Sequence, residues 1–316
     1  MIGDLILDAY HHGHYMGQSV DNAATPVALE RLVNYTWGGA GLVVRNILAL
    51  GTPVTFISMV GKDSAATHAH SFTHEGLSKK FLVIPHRRTT VKERFWIDDK
   101  KLLEWQHFDN RLLAPDLQKK LFTLIEREIA RASKVMIADY RHGLLSPALS
   151  RKIIRLCAVN KVPLYIDSQV AYNEGNHAWY RGAYLVCLNE DEARSVYAEF
   201  DPEDLGSSLA EIQRLLKTKH VVVKLGGLGS VALFEQTFLK VPAHPVTPLD
   251  ASGAGDAFLA AVAIGSALPT HDDLARANIW AAHSVTMIGT EIPPIARYHT
   301  SLKQAGLSVD KNKKTT

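Results

Sequence analysis

The run Asp250-Ala251-Ser252-Gly253-Ala254-Gly255-Asp256 sets two glycines and a carboxylate directly before the apolar segment Ala257-Phe258-Leu259-Ala260-Ala261-Val262-Ala263-Ile264. Glycines at a helix start let backbone N–H groups approach a ligand closely, and that helix end favours negative charge. Such a turn suits a transferring phosphoryl group, whose developing charge the N–H groups stabilise. An aspartate right after the glycines is a poor neighbour for a resting phosphate. It is a good neighbour for an attacking hydroxyl, whose proton it can accept. The same residues also fit a plain tight turn with a capping aspartate. A dinucleotide-binding turn fits less well, because Phe258 stands where the third glycine of G-x-G-x-x-G belongs, and no G-x-x-x-x-G-K-[ST] run occurs.

The elements that must carry this turn alternate along the chain. Val54 to Val60, Lys134 to Ala138, Val162 to Ile166, Tyr184 to Leu188 and His220 to Lys224 read as buried strands. Ala65 to His74 reads as a helix. Ser146 to Asn160 reads as another, with Ser146-Pro147 as N-cap and first helical residue and Ile153, Ile154 and Cys157 on one face. Strands alternating with helices predict a mostly parallel sheet covered on both faces. Two stretches, 9–37 and 89–108, break the alternation and read as strands. They predict a small second sheet acting as a lid over a site at the C-terminal ends of the main strands.

Composition excludes several classes. The 316 residues carry a net charge of +3, partly from the tail Lys311-Asn312-Lys313-Lys314, so no concentrated basic face points to nucleic acid. The two cysteines, Cys157 and Cys187, lie in apolar surroundings and suggest neither a disulfide scaffold nor a zinc site. No apolar run reaches the ~18 residues of a membrane span, and no leader is legible, so the expected location is the cytoplasm. Tyr10-His11-His12-Gly13-His14 resembles a metal site only superficially, since adjacent strand residues point to opposite faces.

Asp250 to Asp256 resembles the D-x-[ST]-G-A-G-D signature of the ribokinase-like, PfkB-type carbohydrate kinases. Further segments are similar to that family in the same order: Gly38-Gly39-Ala40 with Asn46 and Ala49-Leu50-Gly51, Val60-Gly61-Lys62-Asp63, Asn189-Glu190-Asp191-Glu192, and Lys224-Leu225-Gly226-Gly227-Leu228-Gly229. The resemblance covers nearly the whole chain and implies one α/β ribokinase-like domain over residues 1–316. It implies ATP and Mg²⁺ as cofactors and admits a monovalent cation such as K⁺. By the same resemblance Asp256 is the base, and the N–H groups of Gly253, Ala254 and Gly255 form the anion hole. Asn189 and Glu192 organise Mg²⁺ and the phosphates, largely through water. Lys224, Gly226 and Gly229 line the nucleotide pocket, with Asn278 near the adenine. On the acceptor side, Asp8 grips neighbouring hydroxyls and Gly38-Gly39 let the backbone close on the sugar.

The branch most similar is that of the D-glycero-β-D-manno-heptose 7-phosphate kinases of lipopolysaccharide core synthesis. Gly3 to Tyr10 resembles their G-D-x-x-L-D-x-Y, Ala138 to Gly143 their S-D-Y-x-K-G, and Thr90 to Arg94 their T-x-K-x-R. Tyr180 to Ala183 resembles the branch as well. The resemblance adds Asp139 to the substrate residues. Lys92 and Arg94, sharing one strand face, could hold a sugar phosphate, with His142 adding a charge when protonated near pH ~6.5. Five positions depart from the branch: Leu42 replaces an asparagine, His142 a lysine, Ser168-Gln169 a Pro-Lys pair, and Trp105 an arginine. The alternatives are a PfkB-type kinase for another sugar, nucleoside or sugar acid, and a non-catalytic sugar- or nucleotide-binding homologue.

Three expectations concern assembly and chain ends. An exposed apolar face on the lid predicts a homodimer. Gly3-Asp4 ends the family's first strand, yet only Met1 and Ile2 precede it, which suggests a missing upstream part of that strand. The bifunctional members carry a nucleotidyltransferase domain after the kinase, so any adenylylation is expected to belong to another protein.

Overall fold

A computed structural model describes residues 1–98, 100–170, 174–266 and 268–309; the basic tail 311–314 lies outside them. In chain order the strands are β1 (Ile2–Gly3), β2 (Leu5–Gln18), β3 (Pro26–Gly39), β4 (Val54–Gly61), β5 (Leu77–Ile84), β6 (Val91–Ile97) and β7 (Lys100–His107). They continue as β8 (Val135–Asp139), β9 (Leu164–Ser168), β10 (Leu185–Asn189), β11 (His220–Lys224), β12 (Ser230–Phe234) and β13 (Thr237–Val241). Nine of them form one sheet in the order β13-β12-β11-β10-β9-β8-β1-β4-β5. Pairing is parallel from β5 to β11 and antiparallel at β12 and β13. Central strands buried on both faces read as continuous apolar runs, and β8, Val-Met-Ile-Ala-Asp, is buried throughout.

Two apolar clusters cover the two faces. One gathers the helices Ala40–Ala49, Ala254–Ile264 and His271–Ser284; the other gathers Pro115–Ile129, Pro147–Val159 and Leu205–Leu216. The Pro147–Val159 helix shows why the sequence folds this way. Ser146 Oγ accepts from Leu149 N at 3.2 Å, Pro147 presets the first turn, and Leu149, Ile153, Ile154 and Cys157 are buried. Each large apolar side chain so buried contributes roughly 1.5–3 kcal/mol. The helix expected to end at His74 instead spans Ser64–Ser71. Phe72 turns extended and packs on Trp37, with ring centroids 4.7 Å apart, so tertiary packing ends the helix early.

The segments 9–37 and 89–108 meet in a second, four-stranded sheet of order β3-β2-β6-β7. β2 pairs antiparallel with β3 and parallel with β6, while β6 pairs antiparallel with β7. Asp4 is the corner at which the chain leaves the large sheet for this one. Among the described residues, no helix is long and apolar enough to cross a membrane.

Candidate active site

Gly253 caps the Ala254–Ile264 helix with φ +81°, a conformation that L side chains rarely adopt. A Cβ there would also lie 2.6 Å from Leu42 Cδ2. The first-turn amides of Ala254 and Gly255 thus stand free of side chains at a helix N-terminus. Asp256 occupies the third helical position but makes no capping bond. Its Oδ1 instead accepts a hydrogen bond from the hydroxyl of Tyr140. Burial raises the Asp256 carboxyl to about 7; the Tyr140 bond and Lys224 oppose this, while Asp167 and Asp8 add to it. A half-buried carboxyl at that value can accept a proton near neutral pH.

Lys224, at the end of β11, brings a cation to the same turn. Its Nζ would stand 3.3 Å from a Cβ on Gly255, and it pairs with Asp167 Oδ2 at 2.6 Å. Burial disfavours its charge, but Asp167 and Glu192 outweigh burial and hold its pKa above the ordinary lysine value. Asn189 and Glu192 form a reciprocal cap on the Glu190–Val196 helix, Asn189 N to Glu192 Oε2 at 2.7 Å and Glu192 N to Asn189 Oδ1 at 2.8 Å. Glu192 is buried, and burial with the neighbouring charge of Asp167 raises it to about 7, against the pull of Lys224. Two neighbouring carboxylates, Asp167 and Glu192, invite a cation. Among the described residues no three acidic, histidine or cysteine groups converge to cage a metal. That suits an ion held by one or two carboxylates, water and substrate phosphates.

Gly226 and Gly229 lie in the turn between β11 and β12. Gly229 backs onto Val241 and Pro242, whose carbonyls both accept from Asn278 Nδ2 at 3.1 Å. Asn278 therefore fixes the wall beside this turn.

The acceptor side gathers around Asp8. Arg94 Nη1 donates to Asp8 Oδ1 at 2.5 Å, and Thr290 Oγ1 donates to Asp8 Oδ2 at 3.0 Å. A side chain at Gly38 would run into the Asp8 carboxylate, so glycine is required there. Gly39 caps the Ala40–Ala49 helix. Arg94 also faces Glu104 at 3.3 Å, so two carboxylates already share its charge. Lys92 precedes Arg94 on the same face and opposes Asp8 across the sheet. A cavity of about 490 Å³ opens beside this group, lined by Tyr10, His12, Asn34, Thr36, Trp96 and Thr290.

Three expectations change here. Asp139 is turned inward: Oδ2 accepts from Asn176 Nδ2 at 2.7 Å and Tyr180 OH at 2.5 Å, and Oδ1 from Arg141 N at 2.8 Å. It organises the loop after β8 instead of facing a ligand. His142 is pushed down to about 4 by burial and by the charges of Lys92 and Arg87, so it adds no charge near pH 6.5. Trp105 opposes Glu93 in the register, which puts it on the sheet face opposite Lys92 and Arg94. The change from arginine at Trp105 thus removes no cation from the acceptor face. Sequence reasoning passed over Tyr140, Asp167 and Thr290, which touch Asp256, Lys224 and Asp8. Tyr140 lay inside a quoted motif; Thr290 carries no local signal.

Residues 2–296 match the model of the pfkB family carbohydrate kinases. The chain belongs to the pfkB family of carbohydrate kinases. This pfkB-family member is therefore a phosphotransferase acting on a sugar hydroxyl, and its family implies ATP and a divalent metal. It is 31% identical over 308 residues to the bifunctional protein HldE of Bradyrhizobium diazoefficiens, covering 92% of this chain and 60% of that one. It is 27% identical over 319 residues to the protein of the same name from Aliarcobacter butzleri, covering 96% and 65%. The pfkB chain thus spans less than two thirds of the length of these relatives. Its fold is shared with phosphofructokinase-2 of Escherichia coli in complex with potassium (TM-score 0.77, 16% identity, 96% and 98% covered). A ribokinase-type protein of Agrobacterium tumefaciens shares it too (TM-score 0.74, 17% identity, 96% of each chain).

Proposed function

We propose that this enzyme transfers the γ-phosphoryl group of Mg²⁺–ATP to D-glycero-β-D-manno-heptose 7-phosphate, giving the 1,7-bisphosphate. The observation that carries the reading is the meeting of Asp256, Tyr140 and Lys224 at the helix-start amides of the Gly253–Gly255 turn, of which Ala254 N also reaches Ala251 O at 3.3 Å. Asp256 takes the proton of the acceptor hydroxyl. The amides and Lys224 stabilise the charge on the transferring group. Glu192 and Asn189 would hold the hydrated metal, which supplies charge neutralisation at the phosphates. Asp8 grips the sugar, and Lys92 meets its phosphate. The β2-β3-β6-β7 sheet serves as the lid, and a monovalent cation such as K⁺ is an accessory. The reaction belongs in the cytoplasm, where ATP is abundant.

The heptose assignment rests on the four segments resembling that branch, and the HldE relatives agree with it. A second reading, another sugar as acceptor, is favoured by Leu42. This apolar side chain is buried against Gly253, where the branch has an asparagine that touches the sugar. ADP release should be measured with the heptose 7-phosphate, a panel of sugars and nucleosides, and no acceptor. Release with the heptose phosphate alone supports the first reading, and release with another acceptor supports the second. None with any acceptor removes the catalytic role.

A further inference from the structure

Asp4 is buried at the corner between the two sheets, 2% exposed. Its Oδ2 accepts from the backbone amides of Tyr140 at 3.0 Å and His142 at 3.3 Å. Its backbone carbonyl accepts from Ala40 N at 3.0 Å, at the head of the helix that brings Leu42 to the glycine turn. Its Oδ1 is buried without a partner. A small void of about 10 Å³ lies beside it, walled also by Arg87, Thr89 and Thr90. An unpaired buried carboxylate oxygen is costly, so its retention calls for a role.

We propose that Asp4 is a positioning residue for Asp256: by holding the amides of Tyr140 and His142 it sets the Tyr140 hydroxyl on the Asp256 carboxylate. The inference rests on Asp256 being the base. Tyr140 is the single side chain that donates to Asp256 among the described residues, and it is carried by the backbone amide that Asp4 holds. A charged acceptor holds two amides more firmly than a neutral one. When Asp4 takes a proton, that hold weakens and the Tyr140 hydroxyl loses its fixed aim.

The charges that face Asp4 decide when this happens. From β8, Asp139 opposes its ionisation, and burial does so more strongly; together they raise Asp4 to about 7, against the amides of His142, Tyr140 and Leu144. Arg87 and Arg88, from the segment after β5, line the same void, but Arg87 is turned to Asp109 and to the carbonyl of Arg111, and Arg88 to His107. Tyr180 donates to Asp139, and His142, in the loop after β8, is held neutral by burial. Asp4 and Asp256 therefore titrate in the same range, linked through one loop.

Carbon-13 NMR of aspartate-labelled protein, with Asp256→Asn for assignment, reads the Asp256 titration without any acceptor. Asp4→Asn should raise the Asp256 midpoint by about half a unit or more, because the Tyr140 bond that favours its charged form is loosened. In the Tyr140→Phe background Asp4→Asn should have no further effect. An unchanged midpoint in folded Asp4→Asn, or equal shifts with and without the tyrosine hydroxyl, overturns the proposal. Should Asp4→Asn not fold, the wild-type protein still decides. The Tyr140 and His142 amide shifts should titrate together with Asp4, and the Asp256 carboxyl should show an inflection at that midpoint; absence of the inflection overturns the proposal equally. Heptose phosphorylation is a separate readout, so a wrong acceptor leaves this test intact.

Discussion

Tyr140 donates its hydroxyl hydrogen to Asp256 Oδ1, although the two residues lie 116 positions apart in the chain. The bond favours the charged carboxylate, whereas burial favours the neutral one, and the balance stands at about 7. A base works in its ionised form, so kcat should rise with pH through about 7 and then level off. Tyr140→Phe removes the donor and should move this limb to higher pH. Asp256→Asn should lower kcat by roughly 10²–10⁴-fold with the fold intact. Near-normal turnover in purified Asp256→Asn protein would refute the assignment.

The acceptor prediction turns on Lys92. Of the three cations expected to meet a phosphate, Arg94 is committed to Asp8 and Glu104 and His142 stays neutral, which leaves Lys92. With a sugar phosphate as acceptor, Lys92→Ala should raise acceptor KM by about 10- to 150-fold, the worth of a charge-assisted contact, and spare ATP. The KM should not improve as pH falls through 6.5. An unchanged KM in the variant points to a neutral sugar.

Gly253→Ala should stop the reaction for two separable reasons. The backbone there has φ +81°, and the new Cβ would stand 2.6 Å from Leu42 Cδ2. Strain of this kind costs about 1–3 kcal/mol and displaces the amides of the anion hole. Adding Leu42→Ala relieves the clash but leaves the φ strain. The double variant should therefore stay at least about 10²-fold below wild type, since the hole remains misaligned. Full recovery would show that crowding alone mattered.

Three buried carboxyls should contribute less to stability as pH rises from about 4 to about 7. Asp4, Glu192 and Asp256 are all raised to about 7, chiefly by burial, so the folded state binds their protons more tightly than the unfolded chain does. Their contribution is fully present below the unfolded value and is lost as pH rises through the folded one. For Asp4 alone the ceiling is about 4 kcal/mol. Asp63 and Asp250 are shifted down by hydrogen bonds that outweigh burial, so they favour folding above their ordinary range and lose that contribution only as pH falls below it. His142, His283 and the Met1 amine are lowered by burial and act the other way, so the test compares variant with wild type. Calorimetric Tm of Asp4→Asn relative to wild type should be higher at pH 8 than at pH 5; an equal difference at both pH values would show that Asp4 does not titrate in this range.

Dimer formation is expected through the second sheet, where Leu29, Leu103, Trp105 and Tyr15 are exposed. Light scattering at micromolar concentration should give twice the chain mass, and Trp105→Lys should shift it towards the monomer. A monomeric wild type would count against this arrangement.

Much of this was legible in the chain. Periodicity and apolar runs marked β4, β8, β10 and β11 and the Pro147–Val159 helix, because central parallel strands and capped amphipathic helices carry their signals locally. The two segments that lacked helical period were legible as strands for the same reason. The glycine turn was legible as a tight helix start, since few residue types allow a backbone at φ +81°.

Tertiary structure decided the charges. No local pattern shows that Arg94 is spent on Asp8, that Thr290 closes on the same carboxylate from the far end of the chain, or that Asp139 turns inward. The register, with its period of two, placed Trp105 away from the acceptor face. Burial set Asp256 near neutrality and His142 far below it, although their ordinary values would order them the other way. Residue type fixes which groups can ionise; what surrounds them in space fixes which do, because desolvation and neighbouring charge act through distance and not through sequence.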